Sequence, residues 1–311
     1  MKGLFDGGRR EKDGVIVLSA PAPQTCGGTY ATQDTRAKKE IVSEDMIFFS
    51  VTSQLPWQSL SAENGAPSLR YVSAFAAPCG DGEFLFLETA SDRQKENTKR
   101  LACVKAGVFP ALVRLVREKD LAKDNGFHSR THGLPEDFGG SIDIRYASGE
   151  NISFSDNQSP IIDAETGAEI VRIFSEAMGR TPLKLPDLSH LCGISFEETR
   201  ENGGFTKAAL TLLPDGGGID RKQSRYDEPK VYESEKPVDA FTVAQIKRTV
   251  EENRMLAWSG LPSGGFSTAG NKRLTFAFDD GTAVAVQDGR LLPDRLSHAF
   301  FEIELELTVK H

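Results

Sequence analysis

The chain is written twice, and no other feature narrows its possible folds as much. Phe109-Pro-Ala-Leu-Val-Arg-Leu-Val-Arg-Glu sets Leu112, Leu115 and Val116 at helical spacing, with Pro110 suited to a first helical turn. The run stops at Asp124-Asn-Gly-Phe127. Phe241-Thr-Val-Ala-Gln-Ile-Lys-Arg-Thr-Val-Glu-Glu carries Val243, Ile246 and Val250 at the same spacing and stops at Trp258-Ser-Gly-Leu261. Gly126-Phe127 and Gly260-Leu261 therefore correspond, about 134 residues apart.

The correspondence continues downstream. Residues 141–156 alternate apolar and polar side chains on both sides of Gly149, and residues 273–288 do the same around Gly281. Each reads as a β-hairpin, since glycine supplies the positive φ such a turn needs. Ala164 to Met178 follows as a helix, with Ile170, Ile173, Phe174 and Met178 on one face and Gly179 at its end. In the second copy Leu296, Phe300, Ile303 and Leu307 fit a helix opening at Pro293-Asp294. Phe301, Ile303, Leu305, Leu307 and Val309 also alternate as a strand would, and the repeat selects the helix.

Upstream of each long helix lie strand-like runs. They are Met46 to Ser53, Leu69 to Ala77 and Glu83 to Thr89 in the first copy, and Leu188 to Glu198, Phe205 to Leu213 and Pro229 to Ser234 in the second. The expected fold is α+β: two tandem units, each a mainly antiparallel sheet of about five strands in the order β-β-β-α-β-β-α, packed with two helices. Residues 1–44 read as an N-terminal extension, partly flexible, that is either poorly ordered or adds a small edge strand at Val15 to Leu18. Residues 45–180 form the first unit and 187–311 the second, with Thr181-Pro-Leu-Lys-Leu-Pro186 as the boundary.

These pieces resemble a group of uncharacterised bacterial proteins, clostridial in type. That group's pattern is a strand meander, a helix, a Trp-Asp-Gly-Phe-like helix end and a hairpin built on Phe-x-Asp-Gly. The matching residues are Trp258-Ser-Gly-Leu261 and Phe278-Asp-Asp-Gly281 in the second copy, and Asp124-Asn-Gly-Phe127 and Tyr146-Ala-Ser-Gly149 in the first. The resemblance spans most of residues 45–307 and implies no activity.

Composition removes several function classes. The chain has 311 residues, 39% of them hydrophobic, which is enough for a real core. Lys+Arg number 37 against 45 Asp+Glu, a net charge of −8, which disfavours a nucleic-acid partner. No window approaches the roughly 18 apolar residues of a membrane span. The first residues lack a secretory apolar region, and the four cysteines (Cys26, Cys79, Cys103, Cys192) form no CxxC pair, so reduced thiols and a cytoplasmic location are expected.

Motifs for chemistry are few. His128-Ser-Arg-Thr-His132 is an HxxxH, which on a helix would turn both imidazoles to one side, as zinc requires. Asn125-Gly126 and Gly133-Leu-Pro135 place it in a loop, so no metal is expected at His128 and His132. The glycine clusters at 215–218 and 263–265 lack phosphate-loop form, and no cofactor is expected. The basic stretches Arg93 to Arg100 and Arg221 to Arg225 read as solvated loops.

What remains is a binding or scaffolding module using loops in which the copies differ, or the cleft between units. The candidate contacts are Trp57 in the Gln54 to Ser68 connection, and Arg221, Arg225 and Tyr226 in the Pro214 to Glu228 connection. The expected partner is a protein or a small molecule, and the chain a monomer (a pseudo-dimer) or a weak oligomer. The rival is an enzyme of unrecognised type whose Cys and His residues are assembled by the fold.

Overall fold

The computed structural model describes residues 10–12, 15–19, 28–56, 69–91, 97–105, 107–133, 138–226, 230–261, 272–288, 292 and 294–309. The protein is α+β, with mostly antiparallel strands in two sheets and few helices. It divides into two compact units: residues 1–77 with 83–181, and residues 78–82 with 182–311. Among the described residues no helix is long and apolar enough to cross a membrane.

The first unit contains β1 (Arg10–Lys12), β2 (Val15–Ser19), β3 (Gly28–Asp34), β4 (Met46–Gln54), β5 (Leu69–Cys79), β6 (Gly82–Ser91), β7 (Thr98–Lys105), α1 (Phe109–Glu118), β8 (Phe127–His132), β9 (Gly140–Tyr146), β10 (Asn151–Asp156) and α2 (Ala164–Met178), except that residues 78–82 at the β5–β6 turn group with the second unit. Its strands form one sheet in the order β1-β2-β3-β8-β10-β9-β4-β5-β6-β7. β8 and β10 run parallel, whereas β3–β8, β10–β9, β9–β4 and β4–β5 are antiparallel. Alternation sends one side chain in two to the helix-covered face. Phe49, Val51, Val72, Leu85, Ile142 and Ile152 are buried there in one cluster with Leu112, Leu115 and Val116 of α1 and Ile170, Ile173 and Phe174 of α2.

Local chemistry fixes the helix starts. Asp163 caps α2, its carboxylate accepting the Thr166 amide at 2.7 Å. α1 begins at Val108 without a side-chain cap of its own. The buried Glu83 carboxylate, from β6, accepts the amides of Gly107 and Val108 at 2.8 and 2.9 Å instead.

The second unit contains β11 (Leu191–Thr199), β12 (Phe205–Leu212), β13 (Gly218–Arg225), β14 (Tyr232–Val238), α3 (Ala240–Glu252), β15 (Lys272–Phe278), β16 (Ala283–Gln287) and α4 (Asp294–Thr308). Short 3-10 turns stand at Leu188–His190 and Met255–Gly260. The sheet order is β14-β13-β12-β11-β15-β16, antiparallel throughout. The order β7-β6-β5-β4-β9-β10 within the first sheet places strands of matching chain position alike. α3 buries Val243, Ile246 and Val250, and α4 buries Leu296, Ile303 and Leu307. The C-terminal element is thus the helix that the repeat selected, not the alternating strand. The hairpin glycines Gly149 and Gly281 both take positive φ, 85° and 84°.

Several expectations need correction. Among the described residues the second sheet has six strands and the first has ten, not about five each. The strand placed at Pro229 to Ser234 is Tyr232–Val238, the fourth of its unit, and Gly218–Arg225 is the third. The sequence of that third strand reads as loop because neither face is apolar. Asp220 and Lys222 lie on one face as an ion pair at 3.7 Å, while Arg221 and Gln223 face outward and bond Glu235 and Glu233 on β14. The basic stretch at Arg93 to Arg100 enters β7 at Thr98, with residues 92–96 outside the described residues. Leu188 to His190 is a 3-10 turn ahead of β11, closed by Asp187 accepting the Ser189 amide at 2.8 Å. β2 covers the segment expected as an edge strand but is flanked by β1 and β3.

Candidate functional site

His128 and His132 lie on β8, not in a loop. Residues i and i+4 of a strand share a face but are separated by about 13 Å, too far to ligate one ion. The HxxxH spacing brings two imidazoles together only on a helix, and the segment pairs with β3 and β10 instead. Among the described residues no group of three or more His, Cys, Asp and Glu side chains could hold a metal ion.

The strand placement gives His128 different neighbours. Across the first sheet, Thr32 pairs with His128, His128 with Ser155, Ser155 with Ser141, Ser141 with Thr52, and Thr52 with Ser73. Directly opposed residues project from the same face, so six strands present one continuous row of five hydroxyls and an imidazole. This row is on the face away from α1 and α2, since the alternate residues Phe49, Val51, Ile142 and Phe154 belong to the helix-covered core. Ser141 is exposed, Thr32, His128, Ser155 and Thr52 are half-buried, and Ser73 is buried. Two links join the row directly: His128 Nδ1 lies 3.0 Å from Ser155 Oγ, and Thr52 Oγ1 lies 3.0 Å from Ser73 Oγ. Burial pushes the His128 pKa below its ordinary 6.5, so the ring is neutral at pH 7.

A parallel row lies one step along the strands: Ser153, Asp143 and Ser50. Asp143 is bonded to Arg145 at 2.7 and 3.1 Å, and the Arg145 guanidinium lies 5.2 Å from the centre of the Phe48 ring.

Beside His128 and Ser153 the surface opens into a hollow of about 500 Å³, between the β3–β4 connection and the β9–β10 turn. Its charged walls are already matched. Asp34 pairs with Arg36 at 3.2 Å, and Glu150 pairs with Lys38 at 2.8 Å. The Arg36 side-chain and backbone bonds hold the Asp34 carboxyl below its usual range. The Lys38 bond, with the Ser43 amide, does the same for Glu150. Buried Asn125 fixes the walls: its Nδ2 donates to the carbonyls of Lys38 and Asn151, both at 2.8 Å, and its Oδ1 accepts the Ser153 amide at 2.7 Å. The hollow is therefore polar, rigidly braced and close to neutral.

Other candidate residues lie in the second unit. Arg221 and Arg225 stand on the same face of β13. Arg221 is bonded to Glu235 at 2.6 Å. Arg225 donates to the Gly203 carbonyl and lies 5.4 Å from the Phe205 ring centre. Exposed Tyr226 stacks with the Arg200 guanidinium at 5.1 Å. Arg225 and Tyr226 thus share one end of the sheet with two basic–aromatic contacts. Trp57 lies outside the described residues. Cys79 and Cys103 are buried and Cys192 is exposed. Within the second unit, Cys79 donates to the Ala257 carbonyl and Cys192 to that of Ala277. No protein-family model and no curated protein sequence matches the chain.

Sequence reasoning missed the hydroxyl row because each strand contributes a single Ser, Thr or His. Only the inter-strand register assembles the row, and no one strand carries that information.

Proposed function

We propose that the protein is a non-catalytic binding module, and that the face of the first sheet away from α1 and α2 binds, at its exposed part around His128, Ser155 and Ser141, a neutral, hydroxyl-rich small molecule of the saccharide class. The observation that carries this reading is the in-register row Thr32, His128, Ser155, Ser141, Thr52 and Ser73 beside a hollow whose charges are already paired. Hydroxyls donate and accept, as sugar hydroxyls do, and neutral walls impose no charge on the ligand. The two units are tandem copies in this reading, supported by their matched strand order, and kinship with the clostridial-type bacterial group belongs to the same proposal. The net charge of −8 favours a partner other than nucleic acid.

The test is a titration of isotope-labelled protein with a panel of mono- and disaccharides, read by amide and imidazole NMR shifts. At least one sugar should shift His128, Ser141 and Ser155 together and saturate, and Ser141→Val should weaken it. Panel-wide silence at these three residues would remove the reading.

One observation favours an enzyme instead: a neutral imidazole within 3.0 Å of a hydroxyl is the contact an activated serine needs. A fluorophosphonate probe separates the two readings. Covalent labelling of Ser155, lost in His128→Ala, supports the enzyme, and an unlabelled Ser155 supports the binding module.

A further inference from the structure

On the helix-covered side of the first sheet, β8, β10 and the first turn of α2 border a second hollow, of about 600 Å³. Small-molecule sites span roughly 300–1,000 Å³ and combine an apolar lining with a few placed polar groups. The floor here is apolar: Leu121, Phe154 and Ile162 are buried, and Phe127 and Ile161 are half-buried.

The rim carries both signs of charge. Lys119, Lys123 and Asp124 come from the turns after α1, Asp156 ends β10 and Asp163 caps α2. Their engagements differ. Lys119 is bridged to Glu165 at 2.7 Å. Asp156 Oδ1 accepts the amides of Gln158 and Ser159 at 2.7 and 3.1 Å. Asp163 accepts the Thr166 amide, which holds its carboxyl below the usual range and therefore ionised. A carboxylate has about four lone-pair sites, so both aspartates can accept a further donor. Lys123 and Asp124 are exposed.

A purely anionic amphiphile placed here would face three carboxylates, and a purely cationic one would face two ammonium groups. A ligand with an apolar group at one end and both charges at the other meets an opposite partner for each charge. We propose that this hollow binds a small apolar zwitterion, of the free apolar α-amino acid class. Its side group lies on Phe127, Phe154 and Ile161, its carboxylate points toward Lys123 and its ammonium toward Asp124 and Asp156.

The test titrates the full chain by calorimetry with L-phenylalanine and L-leucine, and with phenethylamine and 3-phenylpropionate, which keep the phenyl group and drop one charge each. At least one amino acid should saturate a single site, with its single-charge analogues weaker by about threefold or more, the scale of a solvent-exposed ion pair. Lys123→Gln should weaken the amino acid and leave phenethylamine unchanged or tighter, since it removes a like charge. Asp124→Asn should weaken the amino acid and leave 3-phenylpropionate unchanged or tighter, since it removes a like charge. Both positions are exposed, so unchanged unfolding midpoints will show that the variants fold. The proposal is overturned if neither amino acid saturates, if an analogue binds as tightly, or if saturable binding survives both substitutions undiminished.

Discussion

His128 Nδ1 and Ser155 Oγ stand 3.0 Å apart across the parallel pairing of β8 with β10, in a setting whose burial disfavours the charged imidazole. The pH dependence follows from the sign of that effect. As pH falls through the ordinary value of 6.5, unfolded chains take up the His128 proton before folded ones do. The stability that the neutral ring contributes is thus present above 6.5 and lost below it. His190 runs the other way: its hydrogen bond to Asp279, at 3.1 Å, raises its pKa. That contribution is present below 6.5 and lost as pH rises through the folded value. Histidine NMR titration should place His128 below 6.5 and His190 above it, and the reverse order would refute both assignments.

Glu83→Ala should destabilise the protein by about 1–3 kcal/mol, because it strips two amides at the start of α1 of their acceptor. Urea unfolding measures this. A loss under about 0.5 kcal/mol would mean that water or another group replaces the carboxylate.

Asn125→Asp keeps the shape of the side chain but turns an oxygen toward the carbonyls of Lys38 and Asn151, where two N–H bonds now point. It should cost at least as much as Asn125→Ala, about 1–3 kcal/mol. An Asp variant as stable as the native chain would show that the buried amide does not brace the hollow beside His128.

Trp258 is fully buried in the 3-10 turn after α3, and its Nε1 donates to the Asn253 carbonyl at 3.1 Å. Trp258→Ala should cost about 3–5 kcal/mol. Calorimetric melting checks this, and an unmoved midpoint would contradict the burial.

What could be read from the chain followed from apolar periodicity. The four helices and the hairpins β9–β10 and β15–β16 each carry an apolar stripe, as in Ile142, Ile144 and Tyr146 or Leu274, Phe276 and Phe278. β8 and β13 carry no such stripe. Phe127-His-Ser-Arg-Thr-His132 has one apolar residue, and Gly218-Ile-Asp-Arg-Lys-Gln-Ser-Arg225 places the ion pair Asp220–Lys222 on its inner face. Partners distant in sequence made them strands. The candidate site shared this limit: the residue types at 128 and 132 drew notice, but their use depended on whether the backbone was helix, loop or strand.

The pairing of β3 with β8 has a consequence during synthesis. Thr32 emerges from the ribosome nearly 100 residues before His128, its partner across the sheet. At roughly 5–20 residues per second, β3 spends about 5–20 s without that partner. The backbone groups on its β8-facing edge stay without their β8 partners through that interval. The closing of β3 on β8 is then set by translation and long-range closure, and a rare-codon pause between residues 35 and 125 would delay it.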